Sequence, residues 1–96
     1  MIPIEDFVPK TLSKLKIIDI GDSLDIRTFK KDRKILITKI SDNKVNIIEH
    51  GFLDVTYLDI SISSLPKLLK EIKKREFPRS NRAHFSVIDK NSKLRF

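Results

Sequence analysis

The sequence predicts a single α+β domain with an N-terminal helix, a four-stranded antiparallel β-meander, an amphipathic helix and a basic C-terminal segment. Three observations lead to this prediction. Apolar residues recur at helical spacing near both ends of the chain, they alternate with a period of two over its middle, and the net charge of +7 sits in the last third. A chain of 96 residues supports one modest hydrophobic core, so we expect residues 1–96 to form one domain.

The first helix is predicted from an apolar stripe at Val8, Leu12 and Leu15. These residues are spaced i, i+4, i+7 and therefore share one face of a helix. Asp6 or a near neighbour is a candidate N-cap, and Pro9 falls in the first turn, where its missing N–H is tolerated. We expect the stripe to pack against the rest of the domain.

The middle of the chain changes to the period of two that is typical of half-buried strands. Four such runs follow one another, LDIRTFK at 24–30, KILITKIS at 34–41, KVNIIEH at 44–50 and LDVTYLDIS at 53–61. Short polar connections separate them. Because short turns join neighbouring antiparallel strands, the four runs predict a meander.

The second helix is predicted after Ser63 and Ser64, whose hydroxyls can serve as N-caps. An apolar stripe then runs along one face, formed by Leu65, Leu68, Leu69 and Ile72. This stripe is expected to lie on the sheet. Phe77-Pro78 predicts that the helix ends near Arg75. The residues beyond it favour an irregular segment, and then one strand or a small hairpin turning at residues 89–92.

The charge is distributed unevenly. Residues 63–96 carry ten Lys and Arg and three acidic residues, whereas residues 1–62 carry ten of each. A surplus of this kind indicates one strongly positive surface, whose usual partner is a polyanion such as nucleic acid. The alternative is that the lysines of the second helix form a solvated surface with no specific partner.

Composition excludes several kinds of site. The chain has no cysteine, which excludes disulfides, thiolate zinc sites and a cysteine nucleophile. It contains neither GxGxxG nor GxxxxGK[ST], so neither common nucleotide-binding loop is present. His50 and His84 lack metal-binding spacing. We therefore expect no metal, no cofactor and no enzymatic activity.

Hydropathy and the N-terminal residues bear on location. No apolar run approaches the ~18 residues that a membrane span needs, and the start MIPIEDF is acidic where a secretory signal would be basic. The sequence therefore predicts a cytoplasmic protein with no membrane partner. The absence of Gln and Cys, with abundant Ile and Lys, is typical of thermophile proteins.

One candidate binding surface is the sheet face opposite the core. Alternation assigns to it two basic and two aromatic residues, Arg27, Phe29, Lys39 and Tyr57. Aromatic rings stack on unpaired bases while basic side chains follow the phosphates, so this set is typical of a platform for single-stranded nucleic acid. A one-residue slip in register would exchange the faces, and the alternative is that both rings belong to the core.

A second candidate surface is the segment PRSNRAHF at residues 78–85. Arg79, Arg82 and His84 offer donors that suit phosphate oxygens, and Arg binds them bidentately. The end of the preceding helix extends the positive charge through Lys74 and Arg75, which would raise association rates and make affinity depend on salt.

The stretches LDIRTFKKDRKILITKI and LDVTYLDISISSLPKLLKEIKKRE place strands before a capped amphipathic helix. In this order, over roughly residues 24–77, the chain resembles the Whirly and transcriptional-coactivator type of single-stranded DNA-binding fold, and among small proteins the archaeal ThermoDBP-related group. The resemblance implies a curved antiparallel sheet that binds single strands, with roles for Arg27, Phe29, Lys39 and Tyr57, and a homodimer formed through the helical side. This chain lacks the long C-terminal coiled-coil extension of the family.

The sequence thus predicts non-catalytic binding of single-stranded DNA or RNA with weak sequence preference. Two other classes of function stay open. One is a protein–protein module that uses the helix stripe or a sheet edge. The other is a small RNA-processing enzyme that uses His84 with Arg79 and Arg82.

Overall fold

The computed structural model describes residues 1–28, 30 and 32–91. Within these residues, six antiparallel strands form one sheet and two α-helices pack on one of its faces. The elements are β1 (Ile2–Pro3), α1 (Phe7–Leu15), β2 (Ser23–Thr28), β3 (Lys34–Ser41), β4 (Lys44–His50), β5 (Asp54–Ser61), α2 (Leu65–Glu76) and β6 (Arg82–Ile88). A single 3-10 turn precedes each helix.

The sheet confirms the predicted meander and extends it. Its order is β1-β6-β2-β3-β4-β5, so β2 to β5 are neighbours in chain order. Strand β6 inserts between β2 and the short β1, pairing Ile26 with Phe85 and Ile2 with Ala83. The prediction of four strands was therefore incomplete, because the C-terminal segment contributes a full strand and the first residues add a short one.

Both predicted helices form, and the predicted stripes face the core. In α1 the fully buried residues are Phe7, Thr11 and Leu15, so the buried face is shifted by one residue, and the predicted Val8 and Leu12 are half-buried at its edge. In α2, Leu65, Leu69 and Ile72 of the predicted stripe are fully buried and Leu68 is half-buried. Neither N-cap side chain, Asp6 nor Ser64, makes a capping hydrogen bond.

Helix α2 continues one residue beyond the predicted end, to Glu76. Although Glu76 is charged at neutral pH in water, it lies on the buried side of the helix, where it is 1% exposed. Its carboxylate accepts hydrogen bonds from the backbone N–H groups of Phe52 and Leu53, at 2.8 and 3.1 Å. Burial of this carboxyl is tolerated because these donors replace water.

A β-bulge changes the phase of β5. Ile47 pairs with Tyr57 and Val45 with Ile60, so two residues of β5, Leu58 and Asp59, oppose one residue of β4. Asp59 adopts a positive φ of 59°. As a result Tyr57 and Ile60 both turn towards the helices, while Leu58 is 67% exposed.

The strands define two ends of the sheet. Strands β2 and β4 end, and strands β3, β5 and β6 begin, at the same end of the sheet, which we call the upper end. The described residues of the connections there are 30, 32 and 33, then 51–53, and then 77–81, which follow α2. The upper end therefore brings together three segments that are far apart in the sequence.

Candidate nucleic-acid interface

An open groove with a volume of about 730 Å³ lies at the upper end of the sheet. We call it the cationic groove. Helix α2, the start of β6 and the β2–β3 connection contribute to its lining, which includes Lys30, Arg33, Arg79, Ser80, Asn81 and Arg82. The groove also contains Asp32, so its charge is mixed but mainly positive.

Arg79 and Arg82 are the freest cations of the groove. Both are exposed, and within the described ranges neither forms an ion pair or a side-chain hydrogen bond. Ser80 and Asn81 lie between them and add neutral hydrogen-bonding groups. Because these guanidinium groups are not already neutralised, they can bind phosphate oxygens without first breaking a protein contact.

Arg33 has a different role in the same groove. Its Nη1 donates to the backbone oxygens of Arg75 and Glu76, at 3.4 and 3.1 Å. These carbonyls end α2, where the helix dipole is negative, so the positive guanidinium stabilises the helix terminus. Its Nε lies 3.9 Å from the Glu76 carboxylate. Arg33 therefore fixes the wall of the groove.

A row of basic side chains crosses the sheet face that the helices leave uncovered. Register places His84 of β6 opposite Arg27 of β2, Arg27 opposite Lys34 of β3, and Lys34 opposite His50 of β4. We call these four residues the cationic row. Arg82 belongs to the same face, two residues before His84, and it connects the row to the cationic groove.

Two carboxylates limit the charge of the row. Asp25 binds Arg27 bidentately, with Nε–Oδ1 and Nη2–Oδ2 distances of 2.9 and 3.0 Å. Beyond the last strand of the row, Asp54 lies 2.7 Å from His50 Nδ1. The hydrogen bond from Arg27 thus fixes its guanidinium, and the positive surface ends at β5.

Lys39 was predicted to lie on the exposed face, and this assignment was wrong. The residue is 7% exposed and lies on the helix-covered face. Its ammonium donates to the backbone oxygens of Leu15 and Ile18, at 2.8 and 3.0 Å, at the end of α1. A cation at a helix C-terminus satisfies carbonyls that lack helical partners, which explains why this lysine is buried.

Tyr57 also lies on the helix-covered face, contrary to the sequence-based assignment, because of the β5 bulge. Its hydroxyl donates to Glu49 Oε1 at 2.8 Å and accepts from Arg75 Nη2 at 3.1 Å. The hydroxyl is therefore engaged within the protein both as donor and as acceptor. It is not positioned to stack on a ligand of the exposed face.

Arg75 was predicted to bind nucleic acid, but the structure uses its guanidinium internally. Nε and Nη2 donate to the two carboxylate oxygens of Glu49, at 2.7 and 2.8 Å. The Glu49 side chain is 0% exposed, and that of Arg75 is 26% exposed. This bidentate pair joins α2 to β4.

The buried carboxyls of Glu49 and Glu76 influence each other. Burial alone would raise the pKa of Glu49, but hydrogen bonds from Arg75, Glu76 and Tyr57 outweigh it and lower this pKa to about 2. Burial raises the pKa of Glu76, and the hydrogen bond that it shares with Glu49 raises it further. The two pKa values are therefore shifted in opposite directions, and Glu49 is the more acidic carboxyl of the pair.

The remaining predicted residues are placed as follows. Lys74 is exposed on α2, and His84 is half-buried within the cationic row. Phe29 lies outside the described residues. The structure thus brings together Arg27, Arg79, Arg82 and His84, and it separates from them Lys39, Tyr57 and Arg75.

Sequence reasoning missed Lys30, Arg33, Lys34 and His50, all of which lie at the upper end. The signal that could have found them is their position beside strand ends of an antiparallel meander. Lys30 and Arg33 precede β3, Lys34 begins it and His50 ends β4, all at the same edge, because alternate connections of a meander lie at one end of the sheet. The charge balance of residues 1–62 concealed this local concentration.

Two further searches cover only the part of the chain that the structure describes. There, no group of three or more His, Asp or Glu side chains is arranged to hold a metal ion. The helices found there fall short of the length and apolarity needed to cross a lipid bilayer.

Comparison with known proteins adds no relative. No family model, no curated protein and no solved structure matches this chain.

Proposed function

We propose that the chain binds single-stranded nucleic acid, DNA or RNA, with weak sequence preference and without catalysis. The observation that supports this most directly is the unpaired state of Arg79 and Arg82 in an open groove. The cationic row adds Lys34 and the partly exposed guanidinium of Arg27 to their charge, and its histidines add hydrogen-bonding groups. A polyanion is the ligand that matches this basic surface.

Phosphate contacts would supply most of the affinity. Arg79, Arg82 and Lys34 have no acidic partner within the described residues, and Arg27 keeps part of its guanidinium exposed, with 39% of its side chain accessible. Backbone binding of this kind is independent of sequence, which agrees with the proposed weak preference. Stacking on Tyr57 has no part in this proposal, since that ring faces the helices.

The spacing of the histidines supports a non-catalytic role. His84 and His50 occupy the two ends of the cationic row and are separated by three strand spacings, or about 14 Å. Two groups that exchange protons with one substrate must both lie within hydrogen-bond reach of it. The two histidines are therefore too far apart to act together on one substrate.

The test is a titration of a fluorescent single-stranded oligonucleotide, read by anisotropy at several salt concentrations. If about four cations contact phosphates, the logarithm of the association constant should fall against the logarithm of salt with a slope of about −3. Arg79→Ala and Arg82→Ala together should weaken binding more than about tenfold and reduce the size of the slope by about 1.4.

A matched control removes the same charge elsewhere. Lys67→Ala with Lys70→Ala takes two cations from the exposed side of α2, away from the groove. This double variant should keep the wild-type affinity to within about threefold. Equal losses in the two double variants would mean that net charge, and not the groove, governs binding, and the proposal would be abandoned.

A protein–protein module is the second candidate, and one observation favours it. The α2 stripe is buried in the core and therefore unavailable, but β5 is an edge strand with large exposed side chains nearby, Phe52 at 68% and Leu58 at 67%. The predicted homodimer would use this edge and not the α2 stripe. Light scattering of the wild type and of Leu58→Lys tests it: a dimer that the substitution dissociates supports the edge, and a monomer at all concentrations excludes it.

A further inference from the structure

The uncovered face of the sheet carries a second row beside the cationic one. Register aligns Ser86, Asp25, Leu36, Ile48 and Thr56 across β6, β2, β3, β4 and β5. The two residues at its centre are apolar. Ile48 is 42% exposed and Leu36 is half-buried, and no described helix covers them. We call Leu36 and Ile48 the apolar row.

The two rows are parallel and close. On β6, β2, β3 and β4, each residue of the second row lies two positions along its strand from a residue of the first, as Leu36 does from Lys34 and Ile48 from His50. Two positions along a strand correspond to about 6.7 Å. A sugar separates phosphate and base in a nucleotide by a gap of this order, so one nucleotide could contact both rows.

We infer that a single strand crosses the sheet perpendicular to the β-strands, with phosphates on the cationic row and bases turned onto the apolar row. This inference rests on the proposed function and specifies how that same surface holds its ligand. The strand would run from β6 to β4, because Asp54 places a negative charge beyond His50. The row between these strands spans about 14 Å, roughly the rise of four stacked nucleotides.

A small pocket lies between the two rows at the β2–β6 end. It has a volume of about 220 Å³ and is lined by Asp25, Arg27, His84 and Ser86. The pocket could therefore hold the first nucleotide of a strand that runs from β6 to β4. Its side chains offer hydrogen-bond donors and acceptors to the edge of a base, and Arg27 offers a guanidinium to a phosphate. The remaining nucleotides would meet the aliphatic surface of Leu36 and Ile48.

This arrangement distinguishes single strands from duplexes by a physical mechanism. In a duplex the bases are paired and stacked inside, so phosphates could reach the cationic row but bases could not reach the apolar row. The chain should therefore prefer single strands even though its charge attracts both. The preference should come from apolar contact, and so it should persist at salt concentrations that weaken phosphate binding.

The experiment compares two probes of equal charge, an eight-nucleotide thymidine strand and an abasic strand with the same number of phosphates. Covering roughly 40 Å² of apolar surface corresponds to about a fivefold gain in affinity. Leu36 and Ile48 together should offer at least this area, so the thymidine strand should bind at least about fivefold more tightly than the abasic strand. Leu36→Thr with Ile48→Thr keeps strand-forming residues and should remove most of that advantage. Circular dichroism confirms that the variant folds.

Two controls separate this inference from the proposal on which it rests. Ile17→Thr alters a more exposed apolar residue, 71% accessible, after α1 at the other end of the sheet, and it should preserve the advantage. Lys34→Ala should reduce the salt dependence for both probes alike. If neither probe binds, the proposed function fails. If both bind equally, or if the threonine variant keeps the full difference, nucleic-acid binding stands and the two-row arrangement is wrong.

Discussion

Arg75 provides the sharpest test of which cations are structural. In the variant Arg75→Ala, the buried Glu49 carboxylate loses donors at 2.7 and 2.8 Å and keeps its hydrogen bonds with Tyr57, at 2.8 Å, and with Glu76. Removing one partner of a buried ion pair costs about 3–5 kcal/mol, and partial access of water at Arg75 favours the lower value, about 3 kcal/mol. For a domain of this size the melting temperature should fall by roughly 12–24 °C.

Urea denaturation followed by circular dichroism at neutral pH measures this loss in the free energy of unfolding. Lys74→Ala is the matched control, because Lys74 is the exposed neighbour on the same helix, and it should change stability by less than about 0.5 kcal/mol. The double variant Glu49→Leu with Arg75→Ala should recover much of the loss, since no unpaired charge remains buried.

The reasoning would be refuted by an Arg75→Ala protein as stable as the wild type. It would also be refuted by a variant that keeps its stability but loses oligonucleotide binding as severely as the Arg79 and Arg82 double variant. The second outcome would indicate that Arg75 contacts the oligonucleotide, as the sequence analysis predicted. Both measurements use the same purified proteins, so the two roles can be compared directly.

Three further predictions concern buried groups. Lys39→Met should lower the free energy of unfolding by roughly 1.5–3 kcal/mol, because two carbonyls at the end of α1 lose a charged donor, and oligonucleotide affinity should stay unchanged. Burial raises the pKa of Glu76 in the folded state above its pKa in the unfolded state. The protonated carboxyl therefore contributes fully to the free energy of unfolding below the unfolded-state pKa, and this contribution is lost as pH rises through the folded-state pKa. Glu76→Gln should remove that decline in urea titrations carried out from the ordinary carboxyl pKa towards higher pH. Gly51→Ala should destabilise by about 1–3 kcal/mol, because a Cβ there would clash with a Glu76 carboxylate oxygen and lie 2.9 Å from Arg33 Cγ, and a variant as stable as the wild type would contradict this.

The regular elements were predictable from local patterns. The stripes of both helices and the four central strands follow from spacing alone, since burial of one face imposes a period of 3.6 or 2. Strand β6 was only one of the alternatives for the C-terminal segment. Its pairing with β2 depends on contacts between residues as distant as Leu24 and Val87, which no local pattern reveals.

The sequence analysis placed residues of β3 and of β5 on the wrong face of the sheet, for a different reason in each strand. Strand β3 has isoleucines on both sides, at Ile35 and Ile37 on the core face and at Ile40 on the other, so the pattern alone did not place Lys39. In β5 the assignment failed at the bulge, where Asp59 has a positive φ and shifts the alternation. An aspartate is tolerated in this conformation, but nothing in the sequence requires it.

Charge counting identified the exposed, unpaired cations of the candidate surface only in part. It directed attention to Arg79 and Arg82, which the fold leaves exposed, but it counted Arg75 with them, although a carboxylate 26 positions earlier in the chain neutralises it. Ion pairs of this range depend on the tertiary fold. A cation is available to a ligand only if the fold leaves it without such a partner.

The position of β6 has a consequence for how the chain folds. Hairpins between β3, β4 and β5 close short loops and can form early, whereas β6 must return across most of the chain to meet β2 and β1. During synthesis the meander would emerge before this last strand, with one edge of β2 still bare. The N-terminal strand has β6 as its neighbour in the sheet, so the beginning of the chain would dock only once residues 82–88 had arrived.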